Sequence, residues 1–438
     1  MNKNTFVISC PIDCYSGYSS RSRDYVKSLI ESDKYDVKIL PQRWGTTPQG
    51  FIEDHIEEWG FLQSHIILNL TEQPDIWCQV TVPNEFQRVG KYNIGLTAGI
   101  ETTICAPQWI EGCNKMDLIL TSSKHSKGVF ETTVYQAKNE QTGQVSDLKL
   151  TTPIEVLIEG ADLNLYKPLD VKEITSKELY HKIKSIPETF GFLFVGHWMQ
   201  GQLGEDRKNV GLMIKAFYEL FKDKQSKPAL ILKTSSSSSS YSDRREIMKR
   251  IASIKKLVPS EDLPTVYLLH GEFSDKEMNE LYNHPKIKAM VSLTKGEGFG
   301  RPLLEFSLTG KPVIATNWSG HIDFLKPEFT PLMGGDLKNI HPTAQVKDML
   351  IEGSQWFNVA PSEIGKYMTD VYKNYKNWKV KGKRQASYSK SNFSYSKMKD
   401  QLSEILDKNV PNLPKKAELT LPKLTLPKLT LPKLNKIN

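Results

Sequence analysis

The sequence predicts an α/β protein built from two doubly wound parallel-sheet domains, and three observations lead there. Short β-rich apolar runs alternate with helical patterns twice over, once in each half of the 438-residue chain. Several runs are continuous rather than alternating in hydrophobicity, as parallel strands covered on both faces require. A polar stretch punctuated by Gly160, Pro168 and Pro187 separates the halves.

In the first half the expected strands are Thr5 to Ser9, Asp36 to Leu40, His65 to Leu70, Lys91 to Leu96, Asp117 to Thr121 and Ile154 to Ile158. A helix carrying Tyr25, Val26, Leu29 and Ile30 follows the first of them. In the second half the strands are Gly191 to Val195, Ala229 to Leu232, Val266 to Leu269, Ala289 to Ser292 and Pro312 to Ala315. After Gly196, the residues Val210, Met213, Ile214, Phe217, Leu220 and Phe221 recur at spacings of three and four, one apolar stripe of a helix that packs on a sheet. Met398, Leu402, Ile405 and Leu406 repeat that spacing after Asn392-Phe393-Ser394. The expected organisation is a first domain over 1–162, a linker over 163–190, a second domain over 191–390, a return helix over 391–409 and a tail over 410–438.

Composition bounds the function. With 39% hydrophobic and 25% charged residues and a mean hydropathy of −0.43, the chain fits a folded globular protein. No apolar run approaches the roughly 18 to 20 residues that cross a bilayer, and Met1 to Pro11 lacks both the basic flank and the long apolar stretch of a leader. Cys10, Cys14, Cys78, Cys105 and Cys113 are odd in number and contain no C-x-x-C pair, so a reducing cytoplasmic location is expected rather than a disulfide framework or a zinc site. The formal charge is +8, of which Val410 to Asn438 supplies +5 through six lysines against Glu418, leaving +3 for the other 409 residues. Leu-Thr-Leu-Pro-Lys repeats from Leu419 through Lys433, and proline every five residues forbids a helix there, so an extended arm is expected, a tether or an inert appendage. Ser235 to Ser240 is read as a flexible loop bordering a site.

The most informative stretch is Lys295-Gly296-Glu297-Gly298-Phe299-Gly300-Arg301-Pro302-Leu303-Leu304-Glu305, after an expected strand and before a helix. Its glycines, Gly298 and Gly300 among them, let backbone approach a ligand closely, and the helix start offers free N–H groups to a phosphate. Eight residues apart, Glu297 falls in the loop and Glu305 about a turn inside the helix, and carboxylates accept paired hydrogen bonds from vicinal hydroxyls. Arg207 and Lys208, after the first strand of the second half and expected to open its first helix, make a diphosphate clamp. Ser16-Gly17-Tyr18-Ser19-Ser20 is the analogous phosphate-approach loop of the first half, and Gly17 its glycine.

This segment resembles the E-x7-E motif of retaining glycosyltransferases with the GT-B fold, in particular the large family-four group, also described as glycosyl transferases group 1. Gly310-Lys311-Pro312-Val313-Ile314-Ala315-Thr316-Asn317 resembles the strand that follows it there, and Glu205-Asp206-Arg207-Lys208-Asn209 stands where the family places its Arg-Lys pair. The likeness covers nearly all of Gly191 to Lys326 and extends more weakly through the first half. It implies two Rossmann-like domains facing across a cleft, a C-terminal helix crossing back, and transfer of a sugar from a nucleotide diphosphate sugar, UDP- or GDP-linked, with retention of configuration. Glu297, Arg207 and Lys208 are then catalytic, with Glu305, Gly298, Phe299, Gly300 and Gly17 holding the donor. Leu96 to Thr103 resembles the acceptor side. Where many members carry a histidine there is no matched one, and Glu101 and His125 are the candidates. The family's metal independence agrees with the absence of any D-x-D, so neither metal nor cofactor is expected. The acceptor is open among glycan, lipid, small molecule and nucleic acid. A DNA base as acceptor, a non-turning-over nucleotide-sugar module and a sugar-nucleotide isomerase are the alternatives.

Overall fold

The computed structural model describes residues 3–45, 47–138, 144–236 and 239–413. The expected arm therefore lies outside the described residues from 414 onward.

Two six-stranded parallel sheets carry the molecule. The first is formed by β1 (Thr5–Cys10), β2 (Asp36–Pro41), β3 (Ile76–Val80), β4 (Tyr92–Leu96), β5 (Leu118–Thr121) and β8 (Ile154–Val156), in the order β2-β1-β3-β4-β5-β8. A hairpin of β6 (Val134–Lys138) and β7 (Val145–Lys149) stands apart from it. The second sheet contains β9 (Gly191–Val195), β10 (Ala229–Lys233), β11 (Val266–Leu269), β12 (Ile287–Val291), β13 (Val313–Thr316) and β14 (Leu332–Met333), in the order β11-β10-β9-β12-β13-β14. An antiparallel hairpin of β15 (Gly335–Asn339) and β16 (Gln355–Val359) follows it. In both sheets the order reverses beside the first strand, the topological switch point at which open α/β sheets leave a crevice beyond their strand carboxyl ends.

One expected strand is wrong. His65 to Leu70 is not a strand: Gly60–His65 is a 3-10 turn, Ile66 makes a single bridge to Ile39, and Leu68 is 87% exposed. The third strand is Ile76–Val80, all five residues buried. That position lies between β1 and β4, so both faces must be apolar, which Ile76, Trp77, Cys78 and Val80 satisfy and a run ending Leu68-Asn69-Leu70 does not. Arg207 and Lys208 do not open a helix either; the helix begins at Val210, after Asn209 takes a left-handed φ of 56°, and both cations stay in the loop.

Helix Tyr395–Asn409 crosses back onto the first sheet. Ser394 caps it through Lys397 N–H, and Met398, Leu402 and Leu406 join the core formed by Leu29, Leu157 and the strands β1 to β5. Gln401 fixes the register by accepting from Ile158 N–H and donating to Val156 O. The chain enters this helix through Ala161 and Ser394, paired as a bridge. Leu402→Ala is expected to lower unfolding free energy by about 2 to 5 kcal/mol, the cost of a cavity under a 2% exposed side chain. Urea unfolding of the two proteins measures it, and a loss below ~1 kcal/mol would mean the crossing helix contributes little to the first lobe.

Candidate functional site

Loops at the carboxyl ends of the strands bring the two lobes together. The loop after β12 runs through Lys295 to Gly300, where φ is 96°, and turns into helix Arg301–Ser307. Its glycines are required by proximity: a Cβ on Gly298 would stand 2.3 Å from Ala98 O, and one on Gly296 would stand 2.1 Å from Glu101 O. Ser122 Oγ lies 3.0 Å from Gly298 O and also within hydrogen-bond distance of Ala98 O, so the single O–H of one first-lobe hydroxyl is shared between a carbonyl of each lobe. Behind the loop, Glu297 N–H donates to Ser319 Oγ and Gly320 N–H to Glu297 O, each at 2.9 Å.

Four of the expected charged residues meet there. Lys208 Nζ lies 2.5 Å from Glu297 Oε1, and Arg207 Nη1 lies 3.6 Å from Glu297 Oε2, 3.5 Å from Glu101 Oε1 and 2.9 Å from Gly296 O. Burial works to raise Glu297, but the Lys208 ammonium, then the Arg207 guanidinium, outweigh it and hold the carboxyl at about 2. Burial lowers Lys208, with Glu297 as the counterweight, while for Arg207 the carboxylates of Glu101 and Glu297 overcome burial and raise it. Two cations thus face two carboxylates, one from each lobe.

Glu305 occupies a second cluster on the same helix. Arg301 Nε donates to Glu305 Oε1 at 2.9 Å, Arg301 Nη1 reaches Asp24 of the first lobe at 2.5 Å, and Tyr282 OH donates to Glu305 Oε2 at 3.3 Å. Burial dominates here, since only one cation opposes it, and raises Glu305 to about 7. Arg21 and Glu159, 3.5 Å apart, lie between the clusters in electrostatic reach of both. Sequence reasoning missed Arg301 and Asp24, although the i, i+4 spacing of Arg301 and Glu305 is a signal for the first.

The remaining candidates fall around these two. Gly17 begins helix Gly17–Ser32, whose Ser16 cap accepts from Ser19 N–H, and it lines a cavity of about 430 Å³ between the lobes. Arg23, His55, His197, Glu272 and Lys276 line the same cavity. His197 bonds Ser235 at 3.0 Å, which brings the serine-rich loop to its edge. Phe299 is buried against Phe324 and Phe393 rather than turned into the cavity. His125 packs edge-on to Trp318 at 4.6 Å, its Nε2 has no partner, and burial lowers it to about 4. It does not touch the Glu297 cluster. His321 lies within electrostatic reach of Glu297, and its Nε2–H donates to Thr316 O while its Nδ1 has no partner.

Lys295 supports the cluster from below. Its side chain is fully buried, bonded to Asn358 Oδ1 at 2.5 Å, 3.6 Å from Glu205 and over the Trp356 ring at 4.9 Å. Lys295 N–H donates to Arg207 O, and Phe357 N–H donates to Lys295 O. The β15–β16 hairpin thereby braces the loop that carries both cations. Among the described residues, no group of three His, Cys, Asp or Glu side chains has metal-holding geometry, and no helix is long and apolar enough to cross a membrane.

Residues 199–334 match the family model Glycosyl transferases group 1, and they contain every residue of the two clusters that the second lobe supplies. No curated protein matches the sequence. Among solved structures, the chain resembles Anabaena Alr3699/HepE in complex with UDP-glucose at 14% identity and a TM-score of 0.58, covering 92% of this chain and 100% of that one. A glycosyltransferase from Rickettsia africae ESF-5 gives 14% and 0.60 over 94% and 100%, and sucrose-phosphate synthase from Thermosynechococcus elongatus 10% and 0.58 over 93% and 99%. The fold is the GT-B arrangement of two facing Rossmann-like lobes.

The two acidic groups give opposite pH signatures. Glu297, held below its ordinary value of 4.5, contributes stability that is present above pH 4.5 and is lost as pH falls toward about 2. Glu305, raised to about 7, keeps its proton in the folded protein while the unfolded chain has released it, so stability falls as pH rises from 4.5 to about 7. The unfolding free energy of Glu305→Gln is expected to gain on the native protein across that window. A difference independent of pH would contradict it.

Proposed function

We propose that this GT-B chain with a Glycosyl transferases group 1 domain transfers a sugar from a nucleotide diphosphate sugar to an acceptor hydroxyl, with retention of anomeric configuration and without a metal. The observation that carries the reading is the meeting of Lys208, Arg207 and Glu297 on loops at the strand carboxyl ends, closed by Glu101 from the opposite lobe. Two preorganised cations in a buried site meet the need of a departing diphosphate, whose negative charge grows as the glycosidic bond breaks. Two structures of the similar Anabaena Alr3699/HepE, one in complex with UDP-glucose and one with UDP and glucose, favour a UDP-sugar as donor.

In this reading the diphosphate takes the positions on Arg207 and Lys208 now held by carboxylates. Glu297 is left to accept from sugar hydroxyls, as an ionised group at neutral pH, and the N–H groups of Phe299 and Gly300 face the sugar and phosphate. Glu305 accepts from the ribose hydroxyls once Arg301 or Tyr282 gives way, and Gly17 lets the first lobe approach the diphosphate. The bond from the anomeric carbon to the phosphate oxygen breaks as the acceptor oxygen joins the same face, and the departing phosphate takes the acceptor proton. No strong protein base is then required. Glu101 and His125 lie on the acceptor side. The tight contact of 296–298 with 98–101 excludes water from the reacting carbon.

Incubation with labelled UDP- and GDP-sugars tests the reading through release of nucleotide diphosphate. Arg207→Ala and Glu297→Gln are each expected to lower turnover by roughly 10² to 10³, the scale of one preorganised electrostatic contact. A saturating donor is expected to raise the melting temperature by mass action. If no sugar nucleotide moves the melting temperature and none is consumed, the reading fails.

A further inference from the structure

The helix Tyr375–Asn392 carries a concentration of charge that the mechanism above does not use. Residues 371–399 contain eight lysines and Arg384 and not one acidic residue. Of the formal +8, nine positive charges fall in this segment and five in 410–438, which leaves the other 380 residues at −6. The near balance of the body is therefore an average over an acidic molecule and one basic face.

That face is ordered and unpaired. Lys376, Lys379, Lys383 and Lys390 follow one another at helical spacing with Val380, which is 56% exposed, so they form one outward stripe about 20 Å long. Among the described residues none of these four lysines has a carboxylate partner. Asp370, just before the segment, is engaged by Asn374 and the Trp378 indole at 2.6 and 2.7 Å. Two further lysines converge on the stripe from the sheet: Lys288 beside the Tyr375 ring, and Lys311 beside Gly310, against which Lys383 packs. Burial first, and Lys379 with it, lowers Lys288, and burial with Lys288 and Lys379 lowers Lys311 well below the usual range. Like charges are held close together here: Lys311 donates to Tyr282 O and His284 O, and among the described residues no carboxylate pairs with the four lysines of the stripe.

Position decides between partners. Lys288 lies in β12 near its start and Lys311 just precedes β13, so the stripe runs along the amino-terminal edge of the second sheet. Glu297 and the inter-lobe cavity lie beyond the carboxyl ends of the same strands. A nucleic acid seated on this helix would lie at the wrong end to place a base in the cleft. The stripe is also poor in what reads or stacks bases, since a single guanidinium, Arg384, and the part-buried rings of Tyr375 and Trp378 accompany its lysine point charges and exposed valine. A convex row of lysines with aliphatic and aromatic groups at its base suits a planar array of anionic headgroups instead.

We propose that the Lys376–Lys379–Lys383–Lys390 face, with Lys288, binds the surface of an anionic phospholipid bilayer and holds the enzyme there peripherally. The inference does not depend on the donor assignment. At about fivefold in affinity per lysine near a charged surface, replacing Lys376, Lys379 and Lys383 by Gln is expected to weaken binding on the order of 100-fold.

Co-sedimentation of the full-length protein tests this, with phosphatidylcholine vesicles alone and with vesicles containing about one-third phosphatidylglycerol, at roughly 0.05 M and 0.3 M salt. The expected result is binding to the anionic vesicles only, reduced by salt, and lost in the triple variant whose melting temperature is unchanged. A second full-length variant, Lys423, Lys428 and Lys433 to Gln, separates the tail from the helix. Binding lost in that variant but kept in the helix variant would overturn the proposal. So would binding to a duplex oligonucleotide with none to anionic vesicles. Should the helix variant fail to fold, hydrogen exchange over 375–392 in the native protein decides: protection on adding anionic vesicles supports the face, and unchanged exchange refutes it.

Discussion

The structure depends on one close approach, that of backbone 296–298 to backbone 98–101. Two glycines let carbonyls of one lobe stand where side chains would otherwise collide, and at the same place Arg207, already paired with Glu297, reaches Glu101 of the opposite lobe. Cations and carboxylates from both lobes then face each other out of water, where their attraction is strong and their desolvation is costly. The β15–β16 hairpin and Lys295 hold the cation loop from one side, and Ser319 with Gly320 holds the glutamate loop from the other. A site built this way has little freedom to choose another geometry.

Two glutamates of one short motif end in opposite electrostatic states, for a reason visible in their neighbours. Glu297 has two cations against its carboxylate and stays ionised. Glu305, one turn into the helix, shares a single guanidinium with Asp24 and has the Asp275 carboxylate in electrostatic reach, so burial prevails. Arg301 is the common element, since it bridges helix, motif and opposite lobe.

Most of the fold was legible because parallel strands announce themselves as continuous apolar runs, and ten of the eleven expected strands stand where the pattern put them, within two or three residues. The failure at His65 to Leu70 arose because two apolar runs compete for one place in the first sheet. Which one is central depends on burial of both faces, a tertiary property. The β15–β16 hairpin escaped since Gly335–Asn339 is exposed throughout and carries no alternating signature. At the site, glycine spacing marked the loop, and the resemblance to the E-x7-E motif singled out its two glutamates. What could not be read was that Glu101 reaches across to Arg207, because nothing local to either residue encodes a contact between lobes. The basic helix was hidden by averaging: charge summed over 409 residues cancels, while charge along one helix face does not.

The most direct measurement of the central claim is calorimetric titration of UDP and of uridine into the native protein and into Lys208→Gln. A diphosphate seated on Arg207 and Lys208 predicts that UDP binds at least tenfold more weakly to the variant, while the weak binding of uridine is the same in both, since a charge-assisted contact of about 1.5 to 3 kcal/mol is lost from the phosphates only. Equal UDP affinity for the two proteins would contradict it.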